Sequence, residues 1–256
     1  FEINHPKNKE SEWLKMIFNI HAGHNPDGKI GCGAIGLIKE STEARKVKNE
    51  VIRLLKSQGH AVYDCTVENG TSQSNILTNI VKKCNSKKVD LDVSIHFNSG
   101  ANDRQGNNKS TGVEVLLYGA NSKAKDYAER VCKSVAELGF RNRGVKYSTS
   151  LYFLRKTNSP AMLVECCFVD DKDDVIIYDY RTMALAIVEG ILNKKIKEVE
   201  NTDVDKDAEE MSNETVSNGK KTFYRVQVGA YSELNNALKT MKQLNDAGFD
   251  AFITKS

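Results

Sequence analysis

Several common signatures of function are missing from this 256-residue sequence. It holds neither the Gly-x-Ser-x-Gly motif of a serine hydrolase nor the Gly-x-x-x-x-Gly-Lys-Ser/Thr loop that binds nucleotide phosphates. Its glycine cluster, at Gly28, Gly31, Gly33 and Gly36, lacks the spacing of a dinucleotide-binding fingerprint. The net charge of +3 is too small to indicate nucleic-acid binding. These absences argue against four large classes of function.

Long apolar runs are absent as well. No run approaches the ~20 residues that a membrane-spanning helix needs. The first ten residues are polar and lack the apolar core of a signal peptide. Met16 directly precedes the first strand-like run, so we interpret residues 1–15 as a leader or an expression remnant. We therefore expect a protein made in the cytoplasm, with no membrane span.

Cysteine is present but not arranged as a metal or redox motif. The six cysteines include no Cys-x-x-Cys pair, and the chain is too long to be a disulfide scaffold. Cys65, Cys132 and Cys166 lie inside apolar segments. We expect buried, reduced thiols.

Apolar periodicity predicts strands that alternate with helices along most of the chain. The predicted strands are 16–20, 61–65, 91–97, 112–118, 151–154 and 160–168. The predicted helices are 43–58, 73–84, 122–138 and 182–197, with another beginning within 170–174. Ser41 or Thr42 is expected to cap the first helix. The pattern predicts an α/β domain over residues 16–198 with a largely parallel sheet.

The last quarter of the chain has a different composition. Residues 199–220 are rich in acidic and small polar side chains and are typical of a solvated linker. Residues 221–256 show one strand, one helix and a second strand. A βαβ unit of that size is too small to hold a stable core alone.

Two histidines stand where parallel strands end. His24 follows the first strand and His96 closes the strand at 91–97. Ligands of open α/β sheets bind at the carboxyl edge of the strands. With Glu40, these residues provide the three protein ligands that a catalytic zinc needs, and Glu165 ends another buried strand and can serve as the base. The sequence thus predicts a metal-dependent hydrolase.

Some alternatives remain open on this evidence. Glu43 lies in the same first helical turn as Glu40 and competes with it as a ligand. His21 lies nearer the interior of its strand and is expected to act behind the metal ligands at most. His60 follows a turn and is expected to be structural. The loop at 98–110 and the segment 143–156 are expected to line the substrate groove.

Four ordered motifs resemble the zinc-dependent N-acetylmuramoyl-L-alanine amidases of phage endolysins and bacterial autolysins. The motifs are Ile-His-Ala-Gly-His at 20–24, Gly-Leu-Ile-Lys-Glu at 36–40, Asp-Val-Ser-Ile-His-Phe-Asn at 92–98 and Met-Leu-Val-Glu at 162–165. The resemblance implies a twisted six-stranded sheet with helices on both faces. It also implies Zn²⁺ on His24, Glu40 and His96, and a catalytic carboxylate at Glu165. The implied reaction cleaves the amide between N-acetylmuramic acid and L-alanine in peptidoglycan.

This chain departs from the family pattern at one place. The family usually carries an acidic residue and a proline before the first Gly-His, where this sequence has His21 and Ala22. The departure leaves the orientation of His24 open, and it makes His21 a competing ligand.

The segment Tyr-Arg-Val-Gln-Val-Gly-Ala-Tyr at 224–231, with the helix and strand after it, resembles the first half of a SPOR-type peptidoglycan-binding repeat. That resemblance implies wall binding, and pairing of two chains could complete the half module as a homodimer. The alternatives are a zinc peptidase that cuts the stem peptide and a non-catalytic wall-binding protein. A phage lysin of this kind would leave the cytoplasm through a holin-type pore to reach the cell wall.

Overall fold

The computed structural model describes residues 15–196 and 240–241. The strands of the described part are β1 (Ile17–Ala22), β2 (Ala61–Asp64), β3 (Leu91–Asn98), β4 (Val113–Leu117), β5 (Asn142–Tyr147) and β6 (Ala161–Phe168). The helices are α1 (Glu40–Ser57), α2 (Gln73–Cys84), α3 (Lys125–Ala136), α4 (Tyr152–Lys156), α5 (Lys172–Ile177) and α6 (Tyr180–Leu192). Among these described residues, no helix is long and apolar enough to cross a membrane. The predicted linker lies outside the described residues, as do the predicted leader except residue 15 and the predicted C-terminal βαβ unit except the helical residues 240–241.

The six strands form one sheet in the order β2-β1-β3-β6-β4-β5. Neighbouring strands are parallel except at the β4–β6 pair, which is antiparallel. The predicted α/β class and the largely parallel six-stranded sheet are confirmed. Because β4 and β5 run opposite to the other strands, their first residues lie at the edge where β1, β3 and β6 end. We call this the site edge.

The sheet separates two hydrophobic layers, as the alternation of strand side chains requires. On one face, Phe18 and Ile20 of β1 join a core with apolar residues of α1, α3 and α6. On the other face, Leu163 of β6 joins a smaller core with residues of α2 and α4. The helices thus cover both faces of the sheet, as expected. Five of the six cysteines are buried and all six are free thiols.

One predicted strand is wrong. Residues 151–154 were expected to be extended, but Tyr152–Lys156 forms the short helix α4. Phe153 and Leu154 bury one helical face in the smaller core beside α2. The strand of this region is instead β5, a half-exposed edge strand that carries too few apolar residues to show alternation. Short apolar runs do not distinguish a strand from a helix, so the tertiary contacts decide.

The start of α1 also differs from the prediction. Neither Ser41 nor Thr42 caps the helix, because α1 begins at Glu40 and its N-cap is Lys39, which makes no side-chain cap. The first helical N–H, that of Glu40, donates instead to the carbonyl of Ala34 at 3.0 Å. This start places the Glu40 carboxylate at the N-terminus of the helix, where the site edge lies.

Candidate metal centre

Three predicted metal ligands meet at the site edge. The ligand atoms of His24, Glu40 and His96 all lie within 4.8 Å of one another. Oε1 of Glu40 lies 3.2 Å from Nε2 of His24 and 3.0 Å from Nδ1 of His96. The two imidazole rings meet edge to face, with centroids 4.8 Å apart. The fold thus brings together His24, Glu40, which is 16 positions further along the chain, and His96, which is another 56 positions further.

Two glycines make room for this convergence. A Cβ on Gly23 would lie 1.8 Å from Nε2 of His96, so any side chain there would displace the imidazole. A Cβ on Gly33 would lie 2.4 Å from Oε2 of Glu40 and 2.9 Å from Cδ2 of His24. Gly33 also has φ +80°, a conformation that favours glycine. The glycine-rich loop therefore supports the site by close backbone approach.

The Glu40 carboxylate is held in its ionised form. Burial opposes ionisation, but the two histidines outweigh it and lower the pKa of Glu40 below its ordinary range. Backbone N–H groups of Ala34 and Phe97 donate to its two oxygens at 2.7 and 3.2 Å. An ionised carboxylate beside two imidazoles fits the ligand set of a catalytic zinc, which leaves a fourth position open.

Glu43, the competing acid, faces elsewhere. Its oxygens accept from Nζ of Lys46 at 2.9 Å and from the hydroxyl of Tyr178 at 3.0 Å. Glu43 therefore pairs with Lys46 and Tyr178, whereas Glu40 faces the two histidines.

His21 lies outside the group that His24, Glu40 and His96 form. It is 1% exposed and packs edge to face against Phe153. Its Nδ1 lies 3.5 Å from the Ser94 hydroxyl, and its Nε2 is buried without a hydrogen-bond partner among the described residues. Burial, with a smaller contribution from nearby His96, lowers the pKa of His21 to about 3. His21 is thus neutral at physiological pH.

Glu165 lies next to the ligand group across the sheet. It is in register with His96 on the neighbouring strand β3, so both side chains emerge on the same face. Its Oε2 is buried and has no hydrogen-bond partner in the described part of the chain. Burial raises the pKa of Glu165 to about 8, with further contributions from the charges of Glu40 and Glu114. The arrangement holds a carboxyl that can exchange a proton near neutral pH.

Sequence reasoning missed the residues that hold the His24 loop. The buried Asn25 side chain donates to the carbonyls of Ile30 and Gly70, at 2.8 and 2.7 Å, and accepts from the Gly70 N–H at 2.9 Å. Arg45 of α1 donates to the carbonyl of His24 at 2.8 Å. In the sequence, the one signal for Asn25 and Arg45 is that they stand near His24 and Glu40. Their hydrogen-bond partners include a separate segment near residue 70, which no local pattern connects to them.

Sequence reasoning also missed a hydrogen-bonded group beyond Glu165. Glu114 of β4 is in antiparallel register with Glu165. Its two oxygens accept from Nδ2 of Asn98 at 2.9 Å and from Nε of Arg143 at 2.6 Å. Arg143 was included only in a broad segment expected to line the groove. The register of β3, β6 and β4 brings Glu114 and its partners to the site edge. Local sequence patterns do not show this register.

A second group of acidic residues joins the loop that follows β3 to the start of α5, because Asp171 is the N-cap of that helix. Carboxylate oxygens of Asp103, Asp171 and Asp173 also lie within 4.8 Å of one another. Most of these oxygens accept hydrogen bonds from the protein, chiefly from backbone N–H groups. The donors include the N–H groups of Gly106, Asn107, Lys109, Thr111, Asp173 and Asp174. We call this group the aspartate cluster, and its geometry indicates a role in ordering the loop.

Comparison with known proteins agrees with this geometry. The family profile of N-acetylmuramoyl-L-alanine amidases matches residues 19–193, and the profile of the SPOR domain matches residues 201–255. An uncharacterised protein of Clostridium perfringens is 36% identical over 190 residues, which cover 72% of this chain and 53% of that protein. The endolysin of Bacillus phage SPP1 is 28% identical over 200 residues, covering 72% of this chain and 68% of the endolysin. The chain thus spans about half the length of the first of these relatives.

Solved structures give the same result. The catalytic domain of the CD27L endolysin, which targets Clostridia difficile, superposes with a TM-score of 0.63 at 28% identity. The match covers 71% of this chain and 99% of that domain. The family profile extends over more than half of the sequence and contains all four site positions. This chain belongs to the N-acetylmuramoyl-L-alanine amidase family.

Proposed function

We propose that this protein hydrolyses the amide between the lactyl group of N-acetylmuramic acid and L-alanine in peptidoglycan, with Zn²⁺ held by His24, Glu40 and His96. The observation that carries the proposal is the convergence of these ligand atoms within 4.8 Å at the site edge. The amidase profile over residues 19–193 supports the choice of substrate. Wall lysis, as in endolysins and autolysins, is the proposed outcome.

The donor set fits zinc on chemical grounds. Two imidazole nitrogens and one carboxylate oxygen form a three-ligand group of the kind found at catalytic zinc sites. When bound, zinc lowers the pKa of a water and polarises the scissile carbonyl. Glu40 contributes the negative charge, and its backbone hydrogen bonds with Ala34 and Phe97 fix its direction. The carbonyl of His24 is fixed by Arg45.

Glu165 is the proposed general base and acid. Its register with His96 sets its carboxyl beside the proposed ligand group, where it would reach the attacking water. It takes a proton from that water and passes it to the leaving amine of L-alanine, because the amine must be protonated to depart. Burial raises the pKa of Glu165 to about 8, and the positive charge of a bound Zn²⁺ would lower it toward neutrality, a range that suits both transfers.

The test is the chemistry of the ends released from purified cell walls. We expect new L-alanine amino termini without new reducing sugar, lost on chelation and restored by added zinc. Other amino termini with the same zinc dependence would instead establish the zinc peptidase. Wall binding with neither product would establish the non-catalytic binding protein.

The C-terminal segment is proposed to retain the enzyme on the wall. The SPOR profile over residues 201–255 supports this role. A tethered wall-binding unit raises the local concentration of substrate around the catalytic domain. Cosedimentation of the full chain and of residues 16–198 with insoluble peptidoglycan tests it, with the full chain expected to bind more. Homodimer formation through this segment is also proposed, and a mass measured by light scattering decides it.

A further inference from the structure

A row of polar side chains continues from the proposed metal centre toward the sheet edge. His96 of β3, Glu165 of β6 and Glu114 of β4 are successive partners in register. Cross-strand partners in register project from the same face of a sheet. The row therefore runs across three strands, and it holds two carboxyl groups beside the proposed ligands.

A β-bulge brings a cation to the end of this row. The register between β4 and β5 shifts between Val113 and Val115, so that two residues of β5 lie opposite Glu114. Gly144, one of those two, has φ +74°, and Arg143 is the other. Bulges are common beside functional sites because they redirect a side chain. Here the bulge directs Arg143 toward the row.

The Arg143 guanidinium is fixed at one side and open at the other. Nε donates to Oε2 of Glu114 at 2.6 Å, and the guanidinium carbon lies 5.0 Å from the centre of the Phe168 ring. The side chain keeps 30% of its surface exposed. Within residues 15–196, no hydrogen bond from its two terminal nitrogens is found. Glu114 is itself anchored by Asn98, so the fork of terminal nitrogens is held ready for an anion.

We infer that Arg143 binds a carboxylate of the peptide stem, on the residue that follows L-alanine. This inference rests on the proposed amidase function. In that substrate the lactyl carboxyl is consumed in the scissile amide, so the free carboxylates belong to the peptide. A planar guanidinium fork matches a carboxylate with two parallel hydrogen bonds. If Arg143 binds this carboxylate, the peptide stem lies along β4 and β5.

The distances agree with this assignment. Adjacent strands lie about 4.8 Å apart, so the backbone of Arg143 is about 10 Å from that of Glu165, and its side chain folds back to Glu114. A carboxylate one residue beyond L-alanine lies about 7 Å from the scissile amide at about 3.5 Å per residue. The cation also offsets repulsion between an acidic peptide and the carboxylate of Glu114.

The test compares two soluble substrates in the full chain loaded with zinc. One is N-acetylmuramoyl-L-alanyl-D-glutamine, whose only free carboxylate is the α-carboxylate, and the other is its analogue in which that α-carboxylate is a carboxamide. We expect the wild type to favour the acid by about 10- to 100-fold in kcat/KM, the range for hydrogen bonds to a charged group. In Arg143→Gln this ratio falls to near one. In Arg143→Lys it takes an intermediate value, because charge remains without the fork.

Arg141→Gln is the matched control, since Arg141 is an exposed arginine just before β5. Its substrate ratio is expected to equal that of the wild type. Equal rates of the wild type on both substrates overturn the inference even if Arg143→Gln fails to fold. An equal loss on both substrates in Arg143→Gln also overturns it, since the arginine would then only hold Glu114. Failure to release any L-alanine terminus from either substrate refutes the proposed function instead.

Discussion

Two groups of possible metal ligands lie at the site edge, and they use their lone pairs differently. In the histidine group, two imidazoles converge on Glu40, whose oxygens receive only two backbone donors. In the aspartate cluster, Asp171 alone accepts four hydrogen bonds from protein donors. Proximity of ligand atoms is the same in both, within 4.8 Å. Most lone pairs of the aspartate cluster are already used by protein donors, although Oδ2 of Asp103 is buried without a partner in the described residues. This use of the lone pairs favours a loop anchor over a metal site.

The largest expected effect is at the ligand carboxylate. Glu40→Gln removes the anionic ligand, so we expect bound zinc to fall from one per chain to near zero and hydrolysis to be lost. Metal content by atomic emission, with wall hydrolysis in parallel, measures both. Glu43→Gln is the matched control on the same helix and is expected to keep zinc and activity. Full zinc occupancy in Glu40→Gln would contradict the ligand assignment.

The second effect separates metal binding from proton transfer. Glu165→Gln keeps the shape of the side chain but removes its proton exchange, so we expect kcat to fall by about 10²- to 10⁴-fold. Zinc content should remain at one per chain. The exposed Glu129 provides a control for the same substitution. Near-normal kcat in Glu165→Gln would remove this residue from the base role.

The third prediction concerns the aspartate cluster. Asp171→Ala leaves four donors without a partner, one of them buried and three partly buried, so we expect the free energy of unfolding to fall by about 2–4 kcal/mol. Zinc content should not change. Chemical denaturation gives the first quantity and atomic emission the second. Asp126→Ala, an exposed change in the first turn of α3, should cost less than about 1 kcal/mol. Loss of zinc in Asp171→Ala would mean that the cluster holds metal.

The smallest effect concerns His21, the histidine outside the ligand group. The pKa of His21 falls from 6.5 to about 3 on folding, chiefly through burial. Between these values the unfolded chain binds more protons, so stability falls as pH decreases, by up to about 1.4 kcal/mol per pH unit. Burial raises the pKa of Asp92 to about 6. Between its ordinary pKa and 6, Asp92 therefore makes stability rise as pH decreases, opposite to the effect of His21. We therefore expect His21→Gln to lose less stability than the wild type between pH 6 and 4.

The measurement is urea denaturation of chelator-treated protein at several pH values. His60→Gln is the control, because His60 is partly exposed and accepts from the Met16 N–H at 3.2 Å. It should change the pH slope less than His21→Gln does. Parallel slopes for the wild type and His21→Gln would show that His21 is not held neutral by burial.

Local patterns predicted most elements and failed where an element is short and half-exposed. Helix α2 was predicted over the residues that it occupies, since Ile76 and Ile80 form a clear helical stripe. Strand β5 and helix α4 were not, because each has few buried residues and depends on contacts with β4 and α2. The choice between Ser41 and Thr42 as N-cap failed because Ala34 supplies the partner for the first N–H of α1. The capping pattern considers only the residues at the helix start, so it could not show a backbone carbonyl from the preceding loop.

The sequence by itself determined the α/β class and the identity of the four candidate site residues, because apolar periodicity and ordered motifs are local properties of a chain. Tertiary structure decided that Glu40 faces the histidines while Glu43 faces Tyr178. It also decided that His21 is buried outside the ligand group, and that Glu114 and Arg143 continue the row from Glu165. These outcomes depend on strand register and helix packing, which join residues far apart in sequence.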